Sequence, residues 1–359
     1  MTEANRAALL AAATLVRPAL AKSEYVPALT HIQFRGGFAT AYNDTAAIAV
    51  SCPPGIERCV PGELLIKALG AFSGATLAIT LPKGESGLQI QSGRSKVKLP
   101  TLPAADFPFD SALSSAGGTE TELSPAVLAG IDRCLISVGS DEKHPATMGV
   151  TLEAGEGSKA VLYSTDNVTI TRVETAEQIR AGTLVILPTF FCEQLLSVRR
   201  SFPSCAVVLV QVEGALFADF VDEHNNTQAT VFHRMLVDPE PLDYPEIFAR
   251  HVDPSKVDLK DIPDALDAAL GRALLVLGTE PVKVTKVKTD GKVMYLTSTS
   301  ALGDAADDVD FASRPMDFKV DPALIVRGLK AATKMALLPR GVALAGPDGF
   351  LHLVANVEV

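Results

Sequence analysis

The chain has 359 residues, more than one hydrophobic core usually supports, so two or three domains are expected. With 47% hydrophobic and 21% charged residues it can bury a core, which excludes a largely disordered chain. A net charge of −10 excludes a surface coated with nucleic-acid-binding cations, but it leaves room for a local basic channel.

The cysteines and the start of the chain bear on the cellular compartment. Glu3 lies in what would be the basic leader of a secretory signal, and Arg17 and Pro18 break the apolar stretch that follows, which disfavours such a signal. No run of about 18 uncharged apolar residues is present that could cross a membrane. An odd number of widely spaced cysteines predicts reduced, buried thiols in a cytoplasmic protein. These cysteines are Cys52, Cys59, Cys134, Cys192 and Cys205.

Three segments of the chain share one order of predicted elements. Apolar helices are expected at 7–20, 125–138 and 265–277, and strands follow at 31–35, 149–153 and 282–287. Each segment continues into a second apolar helix entered through a proline, Pro61, Pro188 or Pro322. A tyrosine in the next strand recurs at intervals of roughly 120 to 130 residues, at Tyr42, Tyr163 and Tyr295. This period is the size of a domain.

Alternating and β-branched runs between these helices predict antiparallel strands, for example at 76–81, 87–91 and 206–210. The expected fold class is therefore α+β, with three repeated domains that each pack two helices on an antiparallel sheet. Seams at 114–118 and 250–254 divide the chain into domains at 1–118, 119–248 and 249–359.

One stretch in the first of these domains is similar to a known family. This stretch consists of Ser92-Gly93-Arg94-Ser95-Lys96 followed by residues Leu99 to Pro108, which end in Ala104-Ala105-Asp106-Phe107-Pro108. It resembles the corresponding segment of the bacterial DNA polymerase III beta subunit, the beta sliding clamp. Val26-Pro27-Ala28-Leu29, Thr165-Asp166 and Leu242-Asp243-Tyr244-Pro245 are weaker matches.

The resemblance implies a protein without enzymatic activity, cofactor or metal. It implies a ring of two subunits, joined head to tail, that encircles double-stranded DNA without sequence preference. During DNA replication such a ring serves as a processivity factor and tethers the polymerase and the clamp loader through short peptide motifs.

The family's peptide cleft is only partly matched. Where the family continues Thr165-Asp166 with Gly-His-Arg-Leu, this chain has Asn167-Val168-Thr169-Ile170, and residues 355–359 also depart from the family's C-terminus. These departures indicate a diverged member with a different docking motif, such as one carried by a virus or a plasmid. The expected cleft residues are Thr165, Val168, Ile170, Leu353, Val354 and Val357, although burial in a sheet core would explain each of them equally well.

Cations on the helices are the expected DNA contacts. On the last helix, Arg327, Lys330 and Lys334 fall on one stripe opposite an apolar stripe, although a solvated helix face without a ligand would show the same pattern. Weak phosphate contacts would let a ring slide, because they carry no sequence information. The full candidate set is Lys22, Lys67, Arg133, Arg199, Arg200, Arg272, Arg327, Lys330 and Lys334.

The resemblance also places Phe107, Leu275 and Val276 at the contact between subunits. For Leu275 and Val276 an ordinary place in the core of an amphipathic helix is the alternative.

Two other classes of protein remain open. A metal-dependent hydrolase would be centred on Asp141 and His144, although this cluster is expected in a solvated loop. Residues 83–87 lack the residue order of a phosphate-binding loop and are expected to form a hairpin turn. The other alternative is an adaptor that keeps the clamp fold without its DNA function.

Overall fold

The computed structural model describes residues 2–23, 25–52, 56–81, 87–108, 115, 117–235, 240–251, 257–278 and 280–357. The expected turn at 83–87 and the expected seams at 114–118 and 250–254 lie partly outside these residues. The helices are α1 Arg6–Val16, α2 Gly62–Ala71, α3 Pro125–Cys134, α4 Thr189–Ser201, α5 Tyr244–His251, α6 Ala265–Leu277 and α7 Pro322–Leu329.

Strands make up most of the remaining regular structure. The first ten are β1 Thr2–Asn5, β2 His31–Arg35, β3 Phe38–Tyr42, β4 Ala46–Ser51, β5 Arg58–Pro61, β6 Thr76–Thr80, β7 Gly87–Ser92, β8 Ser95–Pro100, β9 Leu102–Pro103 and β10 Thr119–Glu122. The next seven are β11 Gly149–Ala154, β12 Lys159–Thr165, β13 Thr169–Gln178, β14 Leu184–Pro188, β15 Ala206–Val212, β16 Ala215–Val221 and β17 Thr227–Arg234. The last eight are β18 Lys260–Asp261, β19 Thr285–Thr289, β20 Val293–Ser300, β21 Gly303–Asp310, β22 Met316–Val320, β23 Lys334–Leu338, β24 Gly341–Ala345 and β25 Leu351–Ala355.

The chain divides into two compact units. Unit 1 comprises Met1–Ser124 with Glu193–Asp238, and unit 2 comprises Pro125–Cys192 with Pro239–Val359. Each unit contains strands from two of the three expected domains, because sheets extend across the expected boundaries. The division at 1–118, 119–248 and 249–359 stays a prediction.

Unit 1 contains two antiparallel sheets. One has the strand order β1-β6-β7-β8, and the other has the order β10-β15-β16-β17-β4-β3-β2-β5-β9. Aromatic side chains pack on the larger sheet, where the ring centroids of Phe217 and Phe232 lie 5.0 Å apart and those of Tyr42 and Phe232 lie 6.4 Å apart. This burial fixes which face of each strand points to the core.

Unit 2 also contains two antiparallel sheets. Their strand orders are β14-β11-β12-β13-β25-β24-β23-β18 and β21-β20-β19-β22. One core cluster packs α6 and α7 on strands of both sheets, with Leu270, Met294 and Ile325 among its buried members. A second cluster stacks Tyr163 on Tyr244, with ring centroids 4.8 Å apart, and so anchors α5 to the larger sheet.

The repeat expected from the sequence is present in the strand pairing. In each copy a helix precedes an antiparallel pair of strands, namely α1 with β2–β3, α3 with β11–β12, and α6 with β19–β20. A later strand, β5, β14 or β22, pairs with the first strand of its copy and leads directly into the second helix, α2, α4 or α7. The α+β fold class with repeated helix-and-sheet modules is therefore confirmed.

Several helix ends differ from the sequence expectation. The first helix ends at Val16 rather than at residue 20, because Pro18 cannot donate a helical hydrogen bond and the chain tightens into a single 3-10 turn. The start of α7 agrees with expectation, since the Asp321 side chain accepts a hydrogen bond from the backbone N–H of Ala323 at 2.8 Å.

Candidate functional site

Five of the six expected cleft residues line one cavity in unit 2. Its volume is about 300 Å³, and Thr165, Val168, Ile170, Leu353 and Val354 are among its lining residues. Val357 does not line it; its backbone N–H instead donates to the carbonyl of Lys319 at 2.8 Å. That hydrogen bond directs this part of the chain toward β22, and the expected role of Val357 in the cleft stays a prediction.

Antiparallel pairing brings the two halves of the cavity wall together. Strands β13 and β25 pair with Ile170 opposite Leu353 and Thr169 opposite Val354. Residues almost two hundred positions apart in the sequence thereby become neighbours in one sheet. Most of these side chains belong to the sheet itself, since Thr165, Ile170, Leu353 and Val354 are buried while Val168 is 43% exposed. Among these five residues, Val168 therefore has the largest exposed fraction available for contact with a ligand.

The turn between β12 and β13 is held by local hydrogen bonds. Asp166 Oδ1 accepts from the backbone N–H groups of Val168 and Thr169 at 3.0 and 2.5 Å, and Asn167 adopts a φ of 69°. The Thr165 hydroxyl donates to the carbonyl of Thr169 at 2.7 Å. Asx-type bonding of this kind suits an Asp-Asn pair and fixes the position of Val168 at the cavity.

Helix α5 contributes a wall that the sequence analysis missed. Ile247 on α5 and Leu242 just before it line the cavity. Asp243 Oδ1 accepts from the backbone N–H of Glu246 at 2.9 Å and caps this helix. The Asp243-Tyr244-Pro245-Glu246 order has the spacing of a helix start, so this signal could have located α5.

The end of β23 contributes Leu338 and the turn between β23 and β24 contributes Arg340, and both went unnoticed in the sequence. The backbone N–H of Asn356 donates to the carbonyl of Arg340 at 2.9 Å, so the end of β25 supports this turn. Nothing in the local sequence marks these residues, because only the long-range sheet pairing places them beside residue 168.

A buried polar cluster lies behind the cavity wall. His352 on β25 is fully buried, and its Nδ1 lies 2.8 Å from Thr171 Oγ1 and 3.3 Å from Ser137 Oγ. Burial lowers the pKa of His352 to about 4, because the charged imidazolium would lose its hydration. The nearby Asp166 carboxylate raises this pKa and the Arg327 guanidinium lowers it, both as smaller effects. His352 is therefore neutral at physiological pH.

The expected DNA-contacting cations divide into two groups. Members of the first group are exposed, and no ion pair joins them to any other part of the chain that the structure describes. This group consists of Lys22, Lys67, Arg200, Arg327, Lys330 and Lys334.

Members of the second group are engaged within the protein. Arg133 Nη2 lies 2.9 Å from Asp348 Oδ2, and Arg272 Nη2 lies 2.6 Å from Asp307 Oδ1. The Arg199 guanidinium donates to backbone carbonyl oxygens, including that of Cys205. These three side chains have less of their positive charge available to a phosphate than the first group.

The expected cationic stripe on the last helix is wrong for Lys334. Helix α7 ends at Leu329, Lys330 follows as its C-cap, and Lys334 is the first residue of β23. Thr333 already donates its backbone N–H to the carbonyl of Ala345 at 2.8 Å, so sheet pairing replaces the helix that the composition of 330–334 would favour. Arg327 and Lys330 remain exposed at the end of α7.

The expected interface residues differ in exposure. Leu275 on α6 is 80% exposed, Val276 is half-buried, and Phe107 is only 6% exposed within the aromatic core of unit 1. Leu302, in the turn between β20 and β21, is 72% exposed and was not identified from the sequence. The Ser300 hydroxyl near this turn donates to the carbonyl of Val276 at 2.7 Å, which joins the turn to the end of α6.

The Asp141 and His144 pair lies in a loop. His144 Nε2 is 4.0 Å from Asp141 Oδ2, and both side chains are more than half exposed. No group of three or more His, Cys, Asp or Glu side chains with metal-binding geometry occurs among the residues with described coordinates.

The comparisons with known proteins concern the sequence and the fold separately. No protein-family model and no curated protein matches the sequence.

Solved structures match the fold over 99% of this chain and 99% of theirs. A DNA polymerase III beta subunit from Thermotoga maritima gives a TM-score of 0.82 at 18% identity. A beta sliding clamp from Caulobacter crescentus, with polyethylene glycol bound at a proposed beta-motif tethering region, gives 0.81 at 19% identity. A DnaN sliding clamp from Pseudomonas aeruginosa bound to griselimycin gives 0.80 at 17% identity. The chain therefore has the fold of the DNA polymerase III beta sliding clamps.

Proposed function

We propose that this protein is a sliding clamp, a processivity factor without enzymatic activity that encircles double-stranded DNA and tethers a polymerase and a clamp loader. The observation that carries the proposal is the fold similarity to beta sliding clamps over 99% of the chain, with TM-scores of 0.80 to 0.82. A partial match could come from one common domain, whereas a match over the whole length includes every repeat.

The exposed helical cations support binding to DNA without sequence preference. Lys67 on α2, Arg200 on α4, and Arg327 and Lys330 at the end of α7 are exposed and have no carboxylate partner among the residues whose positions are described. Flexible, unpaired cations suit phosphate contacts, which supply affinity without reading bases. In our proposal these four residues contact DNA most directly, while Arg133, Arg199 and Arg272 contribute less.

The cavity of unit 2 supports binding of partner peptides. Its wall is mostly apolar, and one side of it is the exposed Val168 side chain. A concave apolar site with a few polar groups at its edge suits a short peptide that inserts an apolar side chain. We propose that the polymerase and the clamp loader dock here, at a site composed differently from that of the family.

Two edge strands support assembly from two copies. Strand β8 is the edge of its sheet and exposes Lys96 and Lys98, and strand β21 is the edge of another sheet and exposes Asp304, Asp308 and Asp310. On each strand these charges occupy alternate positions and so share one face. Opposite charges on two strands that lie at sheet edges within the described residues favour pairing of β8 from one copy with β21 from another, which gives a head-to-tail contact.

Exposed apolar side chains near β21 fit the same assembly. Leu275 and Leu302 are 80% and 72% exposed, and a second copy would remove them from water. Phe107 has little exposed surface of its own, so in our proposal it supports the interface from within unit 1. Three domains in each of two subunits would then complete a ring.

We also propose a cytoplasmic location. All five cysteines are free and buried, as expected in a reducing compartment. None of the helices in the described parts of the chain is both long and apolar enough to cross a membrane.

Molar mass and DNA retention test the proposal together. Sedimentation equilibrium should give the mass of two chains, and protein loaded on a nicked circular plasmid by its cognate loader should remain bound through gel filtration. Cutting the plasmid to a linear form should release the bound protein. A monomer, or equal retention on linear and circular DNA, would count against a clamp. A dimer that is retained on neither form of DNA would favour the adaptor.

A further inference from the structure

One charged side chain, that of Arg340, lines the apolar cavity of unit 2. The other eleven lining residues are uncharged, and they include Asn167, Val168, Leu242, Ile247 and Leu338. Arg340 is exposed in the turn between β23 and β24, where its carbonyl is held by the backbone N–H of Asn356. The backbone at this position is thus fixed while the side chain reaches solvent.

Three carboxylates that neighbour lining residues in the sequence make other contacts. Asp166 Oδ1 accepts from the backbone of its own turn, Asp243 Oδ1 caps α5, and Glu246 pairs with Arg250 along the same helix. No carboxylate within the described residues pairs with Arg340. Within the part of the chain whose positions are described, the mouth of the cavity therefore has a positive charge without a carboxylate partner, beside an apolar interior.

This arrangement favours a ligand with two features next to each other. An apolar side chain would enter the cavity, and a carboxylate would meet the guanidinium, whose planar fork matches a carboxylate with two parallel hydrogen bonds. A ligand with an ammonium group at that position would be disfavoured by like charge.

We propose that Arg340 is a specificity-determining residue that selects docking peptides with an Asp or Glu side chain adjacent to the apolar side chain that enters the cavity. This inference rests on the proposed peptide-binding role of the cavity. It adds the charge of the peptide, which the apolar walls alone do not determine.

Short fluorescein-labelled peptides provide the test. Each peptide contains a Leu-Leu pair, and its other residues are Ser and Gly except at one position next to the pair. That position is Asp, Asn or Lys. It lies directly before the Leu-Leu pair in one series of peptides and directly after it in the other. Fluorescence anisotropy should show the Asp peptide of at least one series binding about fivefold more tightly than its Asn counterpart, as expected for a partly exposed ion pair. The Lys peptide should bind more weakly than both.

Variants of Arg340 assign the preference to this side chain. The Arg340→Gln variant should bind the Asp and Asn peptides with equal affinity, and that affinity should match the one the wild type shows for the Asn peptide. The Arg340→Glu variant should prefer the Lys peptide. Arg314→Gln is the matched control, because Arg314 is an exposed arginine of the same unit that does not line the cavity. It should keep the wild-type preference.

Three results would overturn the inference. They are equal binding of Asp and Asn peptides by the wild type, a preference that survives in Arg340→Gln, and failure of every peptide to bind. Circular dichroism of each variant separates loss of binding from loss of folding. Retention on circular DNA is measured on the same preparations, so a clamp with an unselective cavity is distinguished from a protein that is no clamp.

Discussion

At the scale of single residues, Val168 offers the cleanest test of the cavity. Its side chain is 43% exposed and lines the cavity, so truncation should remove ligand contact without opening the core. Val168→Ala should weaken peptide binding by about fivefold, because roughly 1 kcal/mol of apolar burial is lost. Anisotropy with the Leu-Leu peptides measures the change.

A matched control for this variant is Val282→Ala, since Val282 is 58% exposed in the same unit and does not line the cavity. It should leave peptide affinity unchanged. An equal loss of affinity in both variants would show that the peptides bind somewhere other than this cavity.

His352 predicts how stability depends on pH. Burial lowers its pKa to about 4 in the folded protein, whereas an unfolded histidine titrates near 6.5. Below about pH 6.5 the unfolded chain takes up a proton that the folded chain refuses, so stability should fall as the pH drops toward 4. Between pH 7 and pH 5 this amounts to about 2 kcal/mol. Burial also lowers the pKa of His233 in unit 1, which adds to the same trend.

Thermal unfolding at several pH values measures this dependence. His352→Gln should reduce the difference in unfolding temperature between pH 7 and pH 5. His224→Gln should not, because His224 is largely exposed. If the His352 variant showed the full wild-type dependence, the imidazole would not be the group that takes up the proton.

Single residues also show what the sequence could predict about the site. Five residues that the resemblance placed in the cleft line one cavity, namely Thr165, Val168, Ile170, Leu353 and Val354. Their contact with a peptide stays a prediction. The resemblance could not locate Arg340, whose role depends on how β23, β24 and β25 pair. A site assembled from distant strands is visible in a sequence only at the positions where a motif marks it.

At the scale of elements, local patterns predicted the beginnings of helices better than their ends. The bounds of α6 and β2 agree fully with expectation, since Gly278 and the Gly36-Gly37 turn mark where they stop. Helix α7 ends early because residues 333 and 334 join the sheet. The competing pairing partner is β24, which no local pattern at 330–334 could reveal.

The early end of α7 makes a prediction about DNA contacts. Arg327→Glu and Lys330→Glu should each weaken salt-dependent binding to duplex DNA, and each should lower the slope of log affinity against log salt by about one, the value of one phosphate contact. Lys334→Glu should have a smaller effect, because Lys334 is on a strand and does not share the helix face. Equal effects of the three substitutions would mean that the helix is not the DNA-contacting element.

The charged edge strands predict how two copies associate. Lys96→Glu on β8 and Asp308→Lys on β21 should each shift the protein toward monomer, because each places like charges across the proposed contact. The double variant restores opposite charges and should recover the dimer. Sedimentation equilibrium measures the association.

Lys159→Glu is the control for charge alone, since Lys159 is exposed on β12 in the larger sheet of unit 2. It should remain dimeric. If both single variants remained dimeric, the contact between copies would lie elsewhere.

At the scale of the whole molecule, the proposed clamp should be retained on DNA by topology rather than by affinity. The chain carries a net charge of −10, and few helical cations in the described ranges are exposed without a carboxylate partner. Equilibrium binding to linear duplex should therefore be weak and should fall steeply between about 50 and 200 mM salt. Protein loaded on a closed circle should stay bound over that range, because a closed ring leaves only by opening. Raising the salt concentration thus distinguishes retention by encirclement from retention by affinity. If the protein dissociated from circular DNA at the same salt concentration as from linear DNA, affinity and not encirclement would hold it on DNA.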